Sequence, residues 1–429
     1  MLRRTFLGTT AAFDWTSFLG PTHNSVSPET KLSRKLPPKL KWEFSKGAGY
    51  ASPAIAGERL LFFHREKNEE VVVSLHPATG KRQWDFRYAT TYEDRYGYSN
   101  GPRSSPVIDE DRVYTIGAQG TLHCLDLASG KMKWKKTVNP DYSVSQDFFG
   151  TASTPLVEQG VLIVQVGAMG GPTVVGLDKM TGKELWRAGK DWGGSYSSPM
   201  PATIHGKRRV FVFAGGDSTP PVGGLLVLDP VNGKVDFTFP WRSRSYESVN
   251  ASCPVIWDNK VFISASYQTG GVCLEIQPDF TQKVLWTTKE FGLHFNTPIF
   301  RDGYLYGFDG RNEPDASLAC LDTKTGKVVW RVTPEWEEII NGQKRMSSTY
   351  RGNLLAVDGA YLCLGEHGHL LWMDLTPKGY KEIARTWLFA AVQTWAPLVL
   401  SDGLLYVSQN SRDPLKGTAP RLICYDMRK

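Results

Sequence analysis

The phrase LDLASGKMKW at residues 125–134 returns as LDKMTGKELW at 177–186 and as LDTKTGKVVW at 321–330. Aligned on its Asp, the equivalent positions are His76, Asp126, Asp178, Asp229, Gln277, Asp322, Asp374 and Asp426, spaced 45–52 residues apart. A period of this length, met eight times, restricts the chain to a stacked or circular array of one small unit. Ahead of each copy lies a second phrase, mostly Ser/Thr-x-Pro or Ser/Thr-Pro before an apolar run, as in SSPVIDEDRVYTIG from 104 and NTPIFRDGYLYGF from 296. Two short apolar stretches around a polar turn make a hairpin. The seventh copy, NLLAVDGAYLCLG from 353, lacks the Pro.

Each unit therefore reads as four strands. Strands A and B come from the Pro phrase, C ends at the Leu-Asp, and D carries the Trp. Helical solenoids would need a 3.6-residue period, and none is present. The expected fold is all-β, an eight-bladed propeller of four-stranded antiparallel blades.

Every position of the phrase has a structural task. Asp126 can accept from backbone N–H groups two or three residues on, closing an Asx turn. Gly130 supplies a positive φ without a Cβ penalty, and Lys131 faces water. The aromatic wedge between blades falls to Trp84, Trp134, Trp186, Phe237, Trp286, Trp330 and Trp387, seven residues for eight units. The eighth unit ends at CYDMRK, with no strand D, and PKLKWEF with Trp42 stands at the other end of the chain. A strand near residues 38–44 is expected to complete the last blade and close the ring, which removes the free edge. Unit five, IQPDFTQKVLW, has lost the Asp and the Gly, so its turn must differ. Unit seven, MDLTPKGYKEIARTW, is expected to carry a longer loop.

Several function classes are disfavoured. The formal charge of +7 is spread over 429 residues with no run of five Lys or Arg, so no nucleic-acid footprint is visible. Among six Cys, Cys124, Cys320 and Cys424 hold the phase of a buried strand position, and no CxxC occurs. Cys253 and Cys273 fall within one unit, and a pairing between them stays open. No metal-ligand motif is found, His367-x-His369 reads as solvated, and GAMGGP at 167–172 lacks a helix to hold a phosphate. No 18-residue apolar run exists to span a membrane. The start, MLRRTFLGTTAAF, has the Arg3-Arg4 of a twin-arginine export signal cut short at Asp14. We expect a signal-like segment at 1–13, an extension at 14–37 and the propeller at 38–429, in a periplasmic or otherwise exported monomer without a lipid anchor.

In a propeller, strand A lines the channel, and the D-to-A and B-to-C loops share one face. The long loops lie there, among them TPEWEEIINGQKRMSSTYR before blade seven. At their ends stand Tyr50, Arg103, Tyr196, Asn250, His294, Tyr350 and Trp395, expected to ring the channel mouth. Such a set suits a small polar or aromatic ligand, or it plugs the channel.

The L-D-x-x-T-G-K-x-x-W phrase and its repetition over residues 38–429 resemble the PQQ-repeat propellers. WTSFLGPTHNSVSPE at 15–29 and HFNTPIFRDGYLYGFDG look like exported bacterial members known only by their repeats. One branch, the quinoprotein alcohol dehydrogenases, implies pyrroloquinoline quinone (PQQ) with Ca²⁺ on the axis and alcohol or sugar oxidation. The other, the outer-membrane assembly lipoproteins, implies a protein partner and no cofactor. The vicinal Cys-Cys of the enzymes has no counterpart here. Their Ca²⁺ ligands and catalytic Asp cannot be placed by motif, although Asp147 lies in a suitable loop. The anchoring Cys of the lipoproteins is missing too. The expectation is a non-catalytic binding or scaffold propeller, engaging a protein or a small polar ligand on its loop face, with no confident cofactor. A PQQ-dependent dehydrogenase is the alternative, so whether the chain is an enzyme stays open.

Overall fold

A computed structural model describes residues 13–313 and 315–429. The twin-arginine segment at 1–13 therefore lies, but for Phe13, outside the described residues.

The first unit shows the construction. Ala54–Ala56 is the short inner strand A, followed by Arg59–Glu66, Glu69–Leu75 and Arg82–Ala89 as B, C and D, paired in that order. B and C are buried almost throughout because neighbouring blades cover both faces, whereas D alternates exposed and half-buried residues. Eight such four-stranded sheets make up the fold, and one helical turn, Val138–Asp141, is the only α-element among the described residues. The eighth sheet takes its outer strand from Lys39–Ser45, antiparallel to Arg421–Asp426 and with Trp42 opposite Cys424.

The repeated phrase joins one blade to the next. Six indoles donate to a carbonyl in the C–D turn of the following blade. These are Trp42 to Pro77 (2.7 Å), Trp84 to Leu127 (3.1 Å), Trp134 to Lys179 (3.2 Å), Trp186 to Pro230 (3.1 Å), Trp286 to Thr323 (2.8 Å) and Trp330 to Thr376 (2.7 Å). Five of these rings lie on the glycine of the turn they reach. A Cβ on Gly80, Gly130, Gly182, Gly233 or Gly326 would fall 2.4–2.8 Å from the ring of Trp42, Trp84, Trp134, Trp186 or Trp286. The glycine is thus needed twice, for a φ near +70° and for the ring above it.

Departures from the phrase follow the same logic. Phe237 has no N–H to donate, and the turn it would meet carries Phe280 at φ 64° instead of glycine. Asp279 takes over the cap there, accepting from Thr281 N (3.0 Å) and Oγ1 (2.7 Å). In blade seven the expected wedge, Trp387, is not the equivalent residue. Strand register places Ala384 opposite Trp372, where other blades place Trp134 opposite Cys124 and Trp330 opposite Cys320. Large and small have changed strands. Trp387 instead donates to His367 O (3.0 Å) and stacks on His369 at 4.9 Å. The C–D loop of this blade is not longer either. Only two residues separate Thr376 from Gly379, and the extra chain lengthens the strands.

The Ser/Thr-Pro phrase does the equivalent work near the axis. Ser52 N donates to Ser105 Oγ, Ser105 N to Thr154 Oγ1 and Thr154 N to Ser198 Oγ, each at 3.0 Å. The belt continues from Ser198 N to Cys253 Sγ (3.3 Å) and from Cys253 N to Thr297 Oγ1 (3.0 Å). Cys253 is thus a hydroxyl substitute in the belt, and it forms no disulfide with Cys273: all six cysteines are buried free thiols. Blade seven, which lacks the phrase, uses Asn353, whose Nδ2 donates to Trp395 O at 3.0 Å.

The extension is a strap over the A–B turns. Trp15 exchanges backbone bonds with Ile55, Thr16 O accepts from Ile108, Ser25 O accepts from Ala356, and Ser33 N donates to Met427 O. Leu19 belongs to the apolar cluster of Met200, Phe211 and Cys253. The strap so runs from blades one and two to seven and eight and floors the channel. It is held by Glu29, 4% exposed, whose Oε2 accepts from Gly403 N at 2.5 Å. Burial raises this carboxyl from 4.5 to about 7. A raised carboxyl stabilises the fold fully below its unfolded value, and that contribution is lost as pH rises through about 7. Glu29→Gln is therefore expected to raise the thermal midpoint at pH 8 and to leave it nearly unchanged at pH 4, measured by differential scanning calorimetry.

Candidate functional site

Above the strap lies a cavity of about 220 Å³ on the channel axis. Phe18, Leu19 and Ser25 form its base and the belt residues Thr154, Ser198 and Thr297 its wall. Five of the seven residues named from the sequence line it: Tyr50, Arg103, Tyr196, His294 and Trp395.

Asn250 and Tyr350 do not line it. Asn250 is fully buried and braces two loops, its Nδ2 donating to Ala214 O (2.7 Å) and Trp241 O (3.0 Å). Tyr350 adopts φ 49° and turns onto the His367 ring at 4.4 Å. Its neighbour Arg351 lines the cavity instead, together with Tyr98, Phe149 and Phe295. These four stand one to several residues away from the position chosen by phase. Irregular loops do not keep strand register, so only their aromatic and basic composition signalled them.

Rings and guanidinium groups interleave at the mouth. Trp395 touches Tyr50 (5.2 Å between centroids), Phe295 (5.2 Å) and Tyr98 (5.7 Å), and Phe149 touches Tyr98 (5.7 Å) and Tyr196 (5.4 Å). Arg103 lies over Tyr50 and Phe149, and Arg351 lies over Phe295 and Trp395. Both cations are already paired. Arg103 holds the fully buried Asp94. Arg351 Nε donates to Glu366 at 2.9 Å, and Trp395 Nε1 donates to the same carboxylate at 2.6 Å. His294 is driven down to about 3 by burial, with Arg351 and Arg311 adding to it, so it is neutral at physiological pH.

Other candidates fall into place around this collar. His369 is not solvated: it is 1% exposed, packed between Trp336 and Trp387, with Nε2 3.3 Å from Glu338. The long segment before blade seven is a hairpin, Glu335–Ile340 with Gln343–Ser348, turning at Asn341-Gly342 with φ 52° and 75°. That Asn-Gly pair is the sequence signal for such a turn. Asp147 lies beside the collar in a separate pocket bordered by Gly167 and Met169 of the Gly-rich loop. No helix among the described residues is long and apolar enough to cross a membrane.

The likeness to known proteins is broad. A 1-butanol dehydrogenase (cytochrome c) of Thauera butanivorans is 24% identical over 261 residues, 54% of this chain and 34% of the relative. The outer membrane protein assembly factor BamB of Burkholderia pseudomallei is 24% identical over 251 residues, 53% of this chain and 54% of the relative. The chain therefore spans about a third and about half the length of these two curated relatives. Among solved structures, BamB from Moraxella catarrhalis superposes with a TM-score of 0.58 at 14% identity, covering 90% of this chain and 97% of that one. A europium-containing methanol dehydrogenase reaches 0.66 at 11% identity, covering 96% and 98%. Quinohemoprotein alcohol dehydrogenase from Comamonas testosteroni reaches 0.65 at 13% identity, covering 96% and 80%. At such identities these structures share the propeller fold with this chain. Residues 67–332, more than half of the chain, match the family model described as outer membrane protein assembly factor BamB, and the chain belongs to that family.

Proposed function

We propose that this chain is an exported, non-catalytic propeller that binds a protein partner through its loop face. The observation that carries this reading is the state of the channel mouth. Its rings pack on one another, and its two guanidinium groups are bound to buried carboxylates. What the loop face offers is a surface. Tyr96, Met169, Tyr246, Val392, Ile339 and Met346 stand out from its loops, the last two at 72% and 62% exposure. Aromatic and Met side chains on a polar ground are the composition of protein interfaces.

The quinoprotein reading fits less well. PQQ is a flat tricarboxylate that needs free cations, and the bound metal needs several oxygen ligands. The arginines are committed as described, and among the described residues no three His, Cys, Asp or Glu side chains gather to hold a metal ion. The residues present do not fit that cofactor.

A photo-crosslinking residue at Tyr96, Met169 or Tyr246, tested in the native host, is expected to yield a discrete protein adduct. The same residue at Met180 or Leu285, away from the loop face, is expected to yield none. Saturable binding of micromolar PQQ with Ca²⁺, followed by turnover of an alcohol, would overturn the reading.

A further inference from the structure

Beside the collar, between the loops of blades two to four, lies a second pocket of about 300 Å³. It is polar, and no Lys, Arg or His among the described residues lines it. Its walls offer acceptors instead. Asp147 Oδ1 accepts from Phe148 N (2.8 Å) and Asp217 N (2.7 Å), which fixes the carboxylate in place. Oδ2 has no hydrogen-bond donor among the described residues. Ser153, 5% exposed, borders the same pocket, and its hydroxyl, closed off from solvent, has no partner among the described residues. A buried hydroxyl without a partner is a rarity that calls for one.

The glycines tell the same story. Gly193, Gly194 and Gly216 have no positive φ, so backbone conformation does not require them. Closeness explains one and openness the other two. A Cβ on Gly216 would fall 2.1 Å from Asp147 Oδ2 and 2.2 Å from Gly194 O. On Gly193 or Gly194 it would make only ordinary contacts, with Asp217 O at 3.6 Å and Val166 O at 3.5 Å. Side chains there would fit the fold and fill the pocket. Their absence leaves a recess bordered by carbonyl oxygens and one carboxylate.

No Lys, Arg or His among the described residues forms an ion pair with Asp147, although the field of Arg242 reaches it. Arg242 reaches Ser218 Oγ, Val222 O and Ser248 O, all neutral acceptors. Arg95 and the Tyr246 hydroxyl go to Asp217. The Tyr196 phenol, held protonated by burial, faces the same carboxylate without charge.

We propose that this pocket binds a small primary amine as its ammonium ion, with Asp147 as counter-ion and the carbonyls of the glycine recess as further acceptors. An ammonium brings three N–H donors and a charge to a site that has acceptors and no cation. An anion would meet two carboxylates, and a planar aromatic ligand would find no ring to stack on.

The same pocket sets a pH dependence. Burial raises the Asp147 carboxyl from 3.8 to about 6, against the field of Arg242 and with that of Asp217. Ammonium binding needs the ionised form, so it should strengthen as pH rises through this value. From pH 5 to pH 7.5 the gain is about tenfold.

Ethanolamine is the probe, titrated into the full chain by calorimetry at both pH values. Saturable binding at pH 7.5, about tenfold weaker at pH 5, is expected. Asp147→Asn keeps the acceptor for Phe148 and Asp217 and should lose binding at least tenfold. Gly193→Ala should lose it too, with an unchanged thermal midpoint, which separates occlusion from misfolding. Ca²⁺ or K⁺ binding at the pocket in place of ethanolamine would overturn the amine assignment. So would the absence of saturable binding, or affinity that Asp147→Asn leaves intact.

Discussion

Trp42→Ala is expected to lower stability by about 3–5 kcal/mol, the range for removing a buried indole. The cost comes from three losses at once. The ring is 8% exposed and lies against Tyr406 at 5.9 Å. Its N–H donates to Pro77 O at 2.7 Å. Its face covers Gly80, where a Cβ would sit 2.7 Å away. Trp42 is in the strand nearest the N-terminus and Gly80 in the first blade, so the residue links the eighth sheet to the first. A double-mutant cycle with Gly80→Ala tests the coupling. With Trp42 present, the methyl meets the ring and the left-handed backbone at φ 68°. With Trp42→Ala only the backbone term of about 1–2 kcal/mol remains. A coupling energy of about 1 kcal/mol or more, from denaturant midpoints, is expected. Simple additivity would show that the ring and the glycine are independent.

Glu366→Ala is expected to cost a similar amount, about 3–5 kcal/mol, for a different reason. Glu366 is fully buried and accepts from Arg351 N (3.2 Å), Arg351 Nε (2.9 Å) and Trp395 Nε1 (2.6 Å). Removing it leaves the guanidinium among Phe295 and Trp395 with only the more distant Glu313, 3.8 Å away, as counter-charge. Glu366→Gln keeps the shape and one acceptor and should cost about 2 kcal/mol. The ordering Ala worse than Gln, read from chemical denaturation at pH 7, distinguishes loss of charge pairing from loss of volume. Because Arg351 and Trp395 form the collar, both variants should also loosen the channel mouth, visible as faster hydrogen exchange in the loop around residues 393–397.

The eight-fold period and the four strands per unit were legible because each phrase is local. An Asx turn, a glycine and an aromatic residue sit within ten positions, and their physics needs no distant partner. The partners themselves were not legible. That Trp84 rests on Gly130, 46 residues on, follows only from the stacking of blades. The same stacking explains the paired loss of Trp at Phe237 and of glycine at Phe280. It also explains why Trp387, correct by spacing, is not the wedge: an exchange of large and small between Trp372 and Ala384 is invisible along one strand.

At the channel mouth the division is sharper. Strand phase placed Tyr50, Arg103, Tyr196, His294 and Trp395 at one cavity, since the residue before strand A has a fixed direction toward the axis. It failed for Asn250 and Tyr350, where the loop backbone turns before the strand begins. It could not foresee that Asp94 and Glu366 would neutralise the two arginines, or that residues 15–33 would floor the channel. The sequence by itself determined the blade and how many there are, because a blade is made of short-range turns and alternating strands. Only the tertiary structure decided which charges are free, which rings touch and where a cavity remains, because those depend on loops from different blades meeting in space.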